Sequence, residues 1–508
     1  MSAALPMIAI DRRNPKPLHR QIYDSIRGMI FDRSLRPGEQ IPASRALAGE
    51  LGISRIPVLG AYAQLLAEGY LESRAGAGTF VAGSLALAEP KIRREPSPNR
   101  EPPIVSKAAQ GLPTRPVPWL REPGPFSVGQ LAYDHFPFHA WSRVLTRHAR
   151  RVRVKSLNYP SRAGLEELRE ALALYLRASR AVQCDAAQIV IVSGSQQALA
   201  LAGRTLLDAG SPAWVEEPGY PFLRNALSLT GCRTVPVPVD GEGLDVAAGI
   251  KLCREARAAF VTPSHQFPLG VTMSAARRLQ LLEWAHGAGA WIVEDDYDSE
   301  YRYESMPVAS LQGLDGGSRV IYIGTFSKTL FPSLRVGYAV VPQDLIDPYM
   351  AVRHASDLGP PYLYQAALAD FLGEGHFARH VRKTRQLYAE RRSALVEALR
   401  AEFGPEFEIL GAEAGMHLVM TLPRGLSDVR IATRAVDARL WLWPLSTAYA
   451  GKGRQGFILG FGSTRVEDMA PAVRHLRQLV DSESGYTRTN GVVIDRAGGR
   501  TYDGRKGS

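Results

Sequence analysis

The 508-residue sequence contains only three cysteines and no apolar run long enough to span a membrane, which would take ~20 residues. Cys184, Cys232 and Cys253 lie far apart and form neither a CxxC pair nor a zinc-type spacing. We therefore expect free thiols in a reducing compartment and no metal site. Charged residues begin at Asp11, before any long apolar segment, so we expect no secretory signal. The sequence predicts a cytoplasmic protein without membrane attachment.

The net charge of +11 is concentrated in the outer parts of the chain. Residues 1–82 carry +3, residues 83–121 carry +4 and residues 486–508 carry +3, which leaves +1 for the large central part. A neutral body with basic appendages favours contact between those appendages and nucleic acid.

Residues 12–82 have the pattern of three helices and a β-hairpin. Apolar side chains recur at helical spacing over residues 18–31, and a tight turn precedes a second, short helix. Ser54 is a suitable N-cap for a third helix that ends near Glu68. A glycine-rich tip at residues 74–78 then separates two short strands. This order is that of a winged helix-turn-helix, whose third helix enters the major groove of DNA.

Six residues of this region are predicted to contact DNA. A guanidinium group can donate two hydrogen bonds to guanine or clamp a phosphate, which suits arginines at the helix starts. An arginine at the hairpin tip suits the minor groove, where glycine permits close backbone approach. Each arginine alone is more simply explained as a solvated surface charge. The predicted set is Ser44, Arg45, Ser54, Arg55, Arg74 and Gly76.

Residues 41–81 also carry the motifs of a known family. They read IPASRALAGELGISRIPVLGAYAQLLAEGYLESRAGAGTFV, which contains L-G-[IV]-S-R, then A-Y-x-x-L-x-x-E-G-Y-L, then G-x-G-T-[FY]-V. These segments resemble the GntR-family winged helix. After Ser54-Arg55 that family usually has polar residues such as Asn-Thr, whereas Ile56 and Pro57 follow here. Because side-chain donors are lost at the start of the third helix, we expect base recognition there to be weaker or different.

The remainder of the chain predicts a linker, an α/β body and a tail. Prolines and charges dominate residues 89–125, which favours an extended linker with little helix. Short apolar runs then alternate with longer amphipathic stretches, a pattern typical of a mostly parallel sheet covered on both faces. The predicted limits are 12–82 for the DNA-binding domain, 83–124 for the proline-rich linker, 125–485 for the body and 486–508 for a disordered tail.

Lys328 lies after an apolar strand, in the segment GTFSKTL. Hydroxyl groups at Thr325 and Ser327 and the guanidinium of Arg335 suit a dianionic phosphate. A lysine amine beside them suits a Schiff base with pyridoxal 5′-phosphate. A lysine at this position alone would be explained as a surface side chain. The acid that the ring nitrogen requires is expected where EDDY, residues 294–297, ends another strand.

Five segments in this order resemble fold-type I aminotransferases: VSGSQQAL, EEPGYP, TPSHQFPLGVTMS, VEDDYDSEYRY and GTFSKTLFPSLRVGY. The resemblance covers about residues 125–480 and implies a pyridoxal-phosphate-dependent fold. It makes Lys328 the Schiff-base lysine and Asp295 the partner of the ring nitrogen, with Asp296 as the alternative. The remaining roles are O3′ contact by Tyr297, ring stacking by Tyr220, and phosphate binding by Ser195, Gln196, Thr325, Ser327 and Arg335.

Two departures from the aminotransferase pattern affect the amino-acid site. Phe267 replaces the asparagine that normally supports O3′. The strand at residues 456–461 lacks the usual arginine for the substrate carboxylate, and Arg465 comes just after it. The cofactor site is therefore complete in sequence, whereas the amino-acid clamp is altered.

The GntR head, the proline-rich linker and the HQFP-type body together resemble the MocR subfamily of regulators. The resemblance implies a head-to-tail, domain-swapped homodimer that binds promoter DNA. Its body would sense pyridoxal phosphate or a small amino compound through an aldimine. The alternative is an active aminotransferase with an inherited head, although we expect at most residual aminotransferase activity. A third hypothesis is a regulator whose body has lost cofactor binding.

Overall fold

The computed structural model describes residues 8, 10–84, 105–113, 124–152, 154–159, 161–303, 308–484, 486–489 and 492–495. Its contacts divide the chain into two units, residues 1–104 and residues 105–508, called the head and the body below. The narrower limits predicted from the sequence stay predictions, and most of the predicted linker lies outside the described residues.

The head has three helices around one apolar core, with a small antiparallel sheet beside them, as the sequence predicts. Ile22 and Ile26 of the first helix pack with Val58 and Leu65 of the third. The sheet has the strand order β1-β3-β2. The elements are α1 (Leu18–Phe31), β1 (Gln40–Ile41), α2 (Ser44–Glu50), α3 (Arg55–Ala67), β2 (Leu71–Arg74) and β3 (Gly78–Val81).

The start of α3 is held by backbone geometry rather than by a side-chain cap. Ser54 occupies the N-cap position with an extended backbone, as predicted, but its side chain accepts no hydrogen bond from the helix. The Tyr62 hydroxyl donates to the Pro42 carbonyl at 2.8 Å and ties α3 to the loop before α2. At the hairpin tip Gly76 has φ +76°, a conformation that glycine adopts without strain.

The described part of the body contains a large sheet, a smaller one and a two-stranded pair. Its strands are β4 (Ile189–Val192), β5 (Pro212–Glu217), β6 (Arg233–Asp240), β7 (Gly243–Leu244), β8 (Ala258–Val261), β9 (Trp291–Asp296), β10 (Val320–Thr325), β11 (Gly337–Val340), β12 (Ile409–Leu410), β13 (His417–Thr421), β14 (Trp443–Pro444), β15 (Gly456–Gly460), β16 (Tyr486–Thr489) and β17 (Val492–Asp495).

The large sheet has the order β4-β11-β10-β9-β8-β5-β6-β7 and is mostly parallel, as predicted. Strands β10, β9, β8, β5 and β6 run parallel to one another. Strand β11 is antiparallel to both β10 and β4. In β4, Ile189 and Ile191 enter one apolar cluster and Val190 and Val192 enter another. Both faces of the strand are thus covered, which explains why its sequence is a continuous apolar run.

The second sheet is antiparallel, with the order β12-β13-β15-β14, and packs in a separate core with residues of the last long helices. The helices of the body are α4 (Lys107–Gln110), α5 (Phe138–Arg150), α6 (Glu166–Arg180), α7 (Ser195–Leu206), α8 (Pro221–Ser228), α9 (Val246–Leu252), α10 (Ala275–Ala288), α11 (Leu311–Asp315), α12 (Ile346–Asp357), α13 (Tyr362–Gly373), α14 (His376–Glu402), α15 (Asp428–Ala435) and α16 (Val466–Ser484).

Two local expectations differ from the structure. The predicted extended linker contains one helical turn, α4, because the Ser106 hydroxyl accepts a hydrogen bond from the Ala109 amide and caps it. Within the predicted disordered tail, β16 and β17 form an antiparallel pair. Their sequences are rich in Val, Ile, Thr and Tyr, which favour strands over disorder. Across the described ranges, no helix is both long and apolar enough to cross a membrane.

Candidate functional site

A cavity of about 260 Å³ lies where β8, β9 and β10 end at their carboxyl termini. Loops that follow parallel strands meet at this edge, which is where such sheets bind ligands. The structure brings all nine residues of the predicted cofactor site to the wall of this one cavity: Ser195, Gln196, Tyr220, Asp295, Tyr297, Thr325, Ser327, Lys328 and Arg335.

Lys328 projects from the loop after β10 toward Gly129. Burial lowers the pKa of its amine, while the carboxylates of Asp298 and Asp295 oppose that shift. Gly129 has φ +80°, and a Cβ atom there would collide with the Lys328 Nζ atom. Glycine at this position therefore leaves space for the amine. Gly129 lies outside every motif, so no sequence pattern indicates its role.

Asp295 is the carboxylate that faces the cavity. It is only 8% exposed, and among the described residues its Oδ1 atom has no hydrogen-bond partner. Burial and the nearby Asp296 and Asp298 raise the pKa of Asp295 to about 7. A buried acceptor without a donor is costly, and a protonated ring nitrogen would satisfy it.

Asp296 is directed away from the cavity into a buried polar cluster. It accepts a hydrogen bond from the Tyr322 hydroxyl at 2.5 Å, and its Oδ2 lies 3.4 Å from Arg180 Nε. Its lone pairs are therefore used within the fold. Of the two acids that the sequence left open, the geometry favours Asp295 as the ring-nitrogen partner.

One end of the cavity is suited to a phosphate. Ser195 begins α7 directly after Gly194, and a helix N-terminus attracts anions. The Thr325 hydroxyl lies 3.1 Å from that of Ser327. A Cβ atom at Gly194 would lie 3.3 Å from Arg335 Nη2, so the guanidinium rests against that glycine. Among described residues Arg335 has no ion-pair partner, which leaves its charge available.

Gln196 has a different position from the one expected of a phosphate ligand. Its Nε2 donates to the Phe222 carbonyl at 2.8 Å, so the side chain holds the start of α8. Only its backbone, in the first turn of α7, remains available to an anion.

The opposite end of the cavity is aromatic and ionisable. The Tyr297 hydroxyl lies 3.1 Å from His265 Nδ1, which in turn lies 3.1 Å from Asp298 Oδ2. Phe267 and Tyr220 meet edge to face, with ring centroids 5.5 Å apart. Phe267 thus fills with an apolar ring the place where an asparagine was expected.

Several polar and aromatic residues around this cavity were not predicted, among them Asp298, His417 and Trp443 on its wall and His265, which contacts Tyr297 and Asp298. Asp298 and His265 lie within the aminotransferase motifs, so a signal for them was present. His417 and Trp443 come from the second sheet, where no motif marks them. Polar atoms of His265, Asp298 and His417 lie within 4.8 Å of one another, close enough to hold a metal ion. His265 Nδ1 and His417 Nε2 are hydrogen-bonded within the fold, whereas the buried His265 Nε2 atom has no partner among the described residues.

The altered amino-acid clamp predicted from the sequence is reflected in the cavity wall. Strand β15 is buried in the second core, and Arg465 is exposed and does not line the cavity. Among the described residues that form the wall, the basic side chains are Lys328, Arg335 and His417. Burial lowers the pKa of His417 to about 3, so this ring is neutral.

The head holds its six predicted DNA-contacting residues on α2, α3 and the hairpin. The Arg55 Nε atom donates to the Ser44 hydroxyl at 3.0 Å, so these two helix starts lie side by side. Arg45 is exposed, and Ser54 precedes Arg55 at the start of α3. Arg74 forms an ion pair with Glu72 at 2.6 Å and lies over the Phe80 ring. Gly76 is at the exposed hairpin tip.

Two family models match the chain, one for each unit. "Bacterial regulatory proteins, gntR family" matches residues 18–81, and "Aminotransferase class I and II" matches residues 124–447. Over 475 residues the chain is 40% identical to the probable rhizopine catabolism regulatory protein MocR of Rhizobium meliloti, covering 93% of this chain and 95% of that protein. The chain belongs to the MocR subfamily of GntR regulators.

Other similar proteins agree with membership of the MocR subfamily. The pyridoxine biosynthesis regulator PdxR of Corynebacterium glutamicum is 33% identical, covering 91% of this chain and 96% of PdxR. Among solved structures, the α-aminoadipate aminotransferase LysN of Thermus thermophilus, complexed with N-(5′-phosphopyridoxyl)-L-leucine, superposes with a TM-score of 0.66. The two sequences are 30% identical, and the superposition covers 71% of this chain and 92% of LysN.

The aminotransferase body of a MocR-type chain implies pyridoxal 5′-phosphate, and the cavity fits this group. Asp295 presents an acceptor that lacks a donor, Lys328 presents an amine, and the start of α7 with Arg335 presents positive charge. The glycines at 129 and 194 keep side chains out of the space beside the amine and the guanidinium. No residue on this wall contradicts the implied cofactor.

Proposed function

We propose that this chain is a pyridoxal-phosphate-dependent, DNA-binding transcription regulator of the cytoplasm. Its body would sense the cofactor or a small amino compound, and its head would bind promoter DNA. The observation that carries the proposal is the buried Oδ1 atom of Asp295, which lacks a donor inside a cavity that also holds Lys328. A body that binds no cofactor would have no reason to retain a buried acceptor that costs stability.

Bound pyridoxal phosphate supplies an aldehyde that combines reversibly with amines and a ring that withdraws electrons. Lys328 would provide the resident amine, and Asp295 would hold a proton at the ring nitrogen. Ser195, Thr325, Ser327 and Arg335 would bind the phosphate, and Tyr297 would contact O3′. Tyr220 would pack on the ring, with Gln196 contributing through its backbone.

The proposed regulator acts as a homodimer. At the start of α5 and in the segment after it, large apolar side chains are exposed: Phe138 at 60%, Val154 at 86% and Tyr159 at 80%. A soluble monomer seldom exposes so many large apolar groups in one segment, whereas a partner subunit would cover them. Two heads in a head-to-tail dimer would contact two operator half-sites.

Ligand control requires the effector to bind two arrangements of the heads with different affinity, because equal affinity shifts no equilibrium. An amine that competes with Lys328 changes the position of a buried side chain at the edge of the large sheet. We propose this displacement as the event that the heads sense.

Active aminotransferase function is the second candidate, and the 30% identity to LysN favours it. Against it stand the missing carboxylate arginine and the fused DNA-binding head. A single-turnover assay with several amino acids separates the two. We expect slow half-reactions at most, and efficient turnover together with no DNA binding would favour the enzyme.

The proposed function is tested by mixing the full-length protein with DNA from its own promoter region at modest salt, with and without the cofactor. We expect a shifted complex and an absorbance band near ~420 nm in the cofactor-loaded protein. A protein that stays colourless with excess cofactor would support a body that has lost cofactor binding. Absence of any shift would remove the regulatory proposal.

A further inference from the structure

The solvent face of α3 lacks the polar side chains that a surface helix normally presents. After Arg55, its exposed residues are Ile56, Leu59, Gly60, Ala63 and Ala67. Ile56 is 78% exposed and Leu59 is 44% exposed. An amphipathic surface helix would carry charged or polar groups on this face. A surface of this kind is therefore built to contact something apolar.

The two exposed aliphatic side chains lie in different surroundings. Leu59 lines a groove with Ser44, Tyr62 and Thr79, between α3 and the hairpin. Ile56 is not part of that groove and lies in the first turn of α3, next to Arg55. It is thus the more accessible apolar group at the end of the helix that faces base edges in helix-turn-helix proteins.

Cations beside Ile56 indicate which surface it meets. Arg45 is exposed, and Arg55 is oriented through its hydrogen bond to Ser44. Arginines of this kind bind phosphates at the rim of the major groove or base edges inside it. Inside that groove the apolar feature is the 5-methyl group of thymine, which aliphatic side chains contact. An apolar protein partner would not explain the cations beside Ile56.

We propose that Ile56 recognises the 5-methyl group of a thymine, one in each operator half-site. This inference rests on the proposed DNA-binding function of the head and deepens it. The side chain that replaces the polar residue usual at this position therefore reads a base by apolar contact instead of by hydrogen bonding.

The test begins with selection of binding sites from a random DNA library by the full-length protein and by its Ile56→Ala variant. We expect wild-type sites to require a thymine that the variant no longer requires. That thymine is then replaced by deoxyuridine, which pairs identically and lacks only the methyl group. We expect about fourfold weaker binding per half-site for the wild type, from the loss of one buried methyl group. The Ile56→Ala variant should show no further loss.

Two control variants make the result specific. Ile56→Val keeps branched methyl groups and should remain sensitive to deoxyuridine. Leu59→Ala removes an aliphatic group from the neighbouring groove and should retain the thymine preference of the wild type. Because Ile56 is exposed, all variants should keep wild-type thermal unfolding.

The outcomes distinguish this inference from the function on which it rests. If no DNA binds specifically, both the proposed function and the role of Ile56 are overturned. If DNA binds but wild type and Ile56→Ala select the same bases and lose equal affinity with deoxyuridine, only the role of Ile56 is overturned. A change in oligomeric state of Ile56→Ala, with an unchanged base preference, would likewise contradict it.

Discussion

The body and the head carry candidate sites of opposite character. In the body, strand ends and loops far apart in sequence surround a cavity, and burial raises the pKa of Asp295 on its wall to about 7. In the head, the predicted contacts are exposed and pair with neighbours, as Arg55 does with Ser44 and Arg74 with Glu72. The body's site is therefore incomplete without a ligand, whereas the head's site is stable alone. The chemistry of the body's site can be inferred from the fold. The sequence specificity of the head's site depends on the side chains that contact DNA.

The largest expected effect is at Lys328. Lys328→Ala should abolish the absorbance near ~420 nm of the reconstituted protein, because the amine that links the cofactor is gone. The matched control is Lys251→Ala, which removes an exposed lysine of α9 and should leave the spectrum unchanged. A persistent band in Lys328→Ala would contradict the role of this amine. It would also remove the evidence that the body's site, unlike the head's, needs a ligand.

A second prediction separates the two adjacent acids of β9. Asp296→Asn should lower the free energy of unfolding by about 3 kcal/mol, because Arg180 loses a buried partner. Glu300 remains 3.3 Å from that guanidinium, which limits the loss. Chemical denaturation followed by circular dichroism measures this change. The cofactor spectrum should persist in Asp296→Asn and change in Asp295→Asn, and the reverse pattern would make Asp296 the ring-nitrogen partner.

In the head, the third prediction concerns Arg55. Arg55→Ala should weaken operator binding about 10-fold to 100-fold, as expected for the loss of one arginine contact with a base. Fluorescence anisotropy with labelled promoter DNA measures the change. Arg254→Ala, an exposed arginine of the body, is the control and should bind as the wild type does. If both variants lost the same DNA affinity, Arg55 would contribute only general charge attraction and no specific contact.

The smallest effect is a pH-dependent change in the cofactor-free protein. Asp295 binds its proton more tightly when folded, because its pKa rises from 3.8 to about 7. Stability from this group is thus present at low pH and is lost as the pH rises from about 4 to about 7. Asp295→Asn should therefore be more stable than the wild type at pH 8, where the folded carboxyl group has lost its proton.

At about pH 3 the two cofactor-free proteins should unfold alike, because the carboxyl group is then largely protonated in both the folded and the unfolded state. Thermal unfolding at both pH values provides the measurement. A wild type that is more stable than Asp295→Asn at pH 8 would show that this carboxylate is satisfied without a ligand.

Much of the fold was predictable because it is encoded locally. The run Ile189–Val192 is apolar on both faces, and the segment 18–31 has a helical period, so β4 and α1 follow from the sequence. The choice between Asp295 and Asp296 did not follow. Neighbouring strand residues point to opposite faces, and only the assembled sheet determines which face borders the cavity.

Other parts of the site depend on contacts between distant segments. His417 and Trp443 reach the cavity wall from the second sheet, and Gly129 reaches Lys328 from far along the chain. None of these residues has a local pattern that indicates its role. The apolar face at Ile56 was predictable only in part. The sequence showed that this residue departs from the family pattern, but only the structure showed that its side chain is exposed.

The most direct test is to titrate one labelled promoter fragment with wild type and Lys328→Ala, each with and without saturating pyridoxal phosphate. Anisotropy and the absorbance near ~420 nm are recorded on the same samples. We predict that the cofactor changes the DNA affinity of the wild type and leaves that of Lys328→Ala unchanged. Wild-type affinity that is identical with and without a visibly bound cofactor would contradict cofactor sensing by the body, and cofactor-induced changes in Lys328→Ala would contradict the role of the amine.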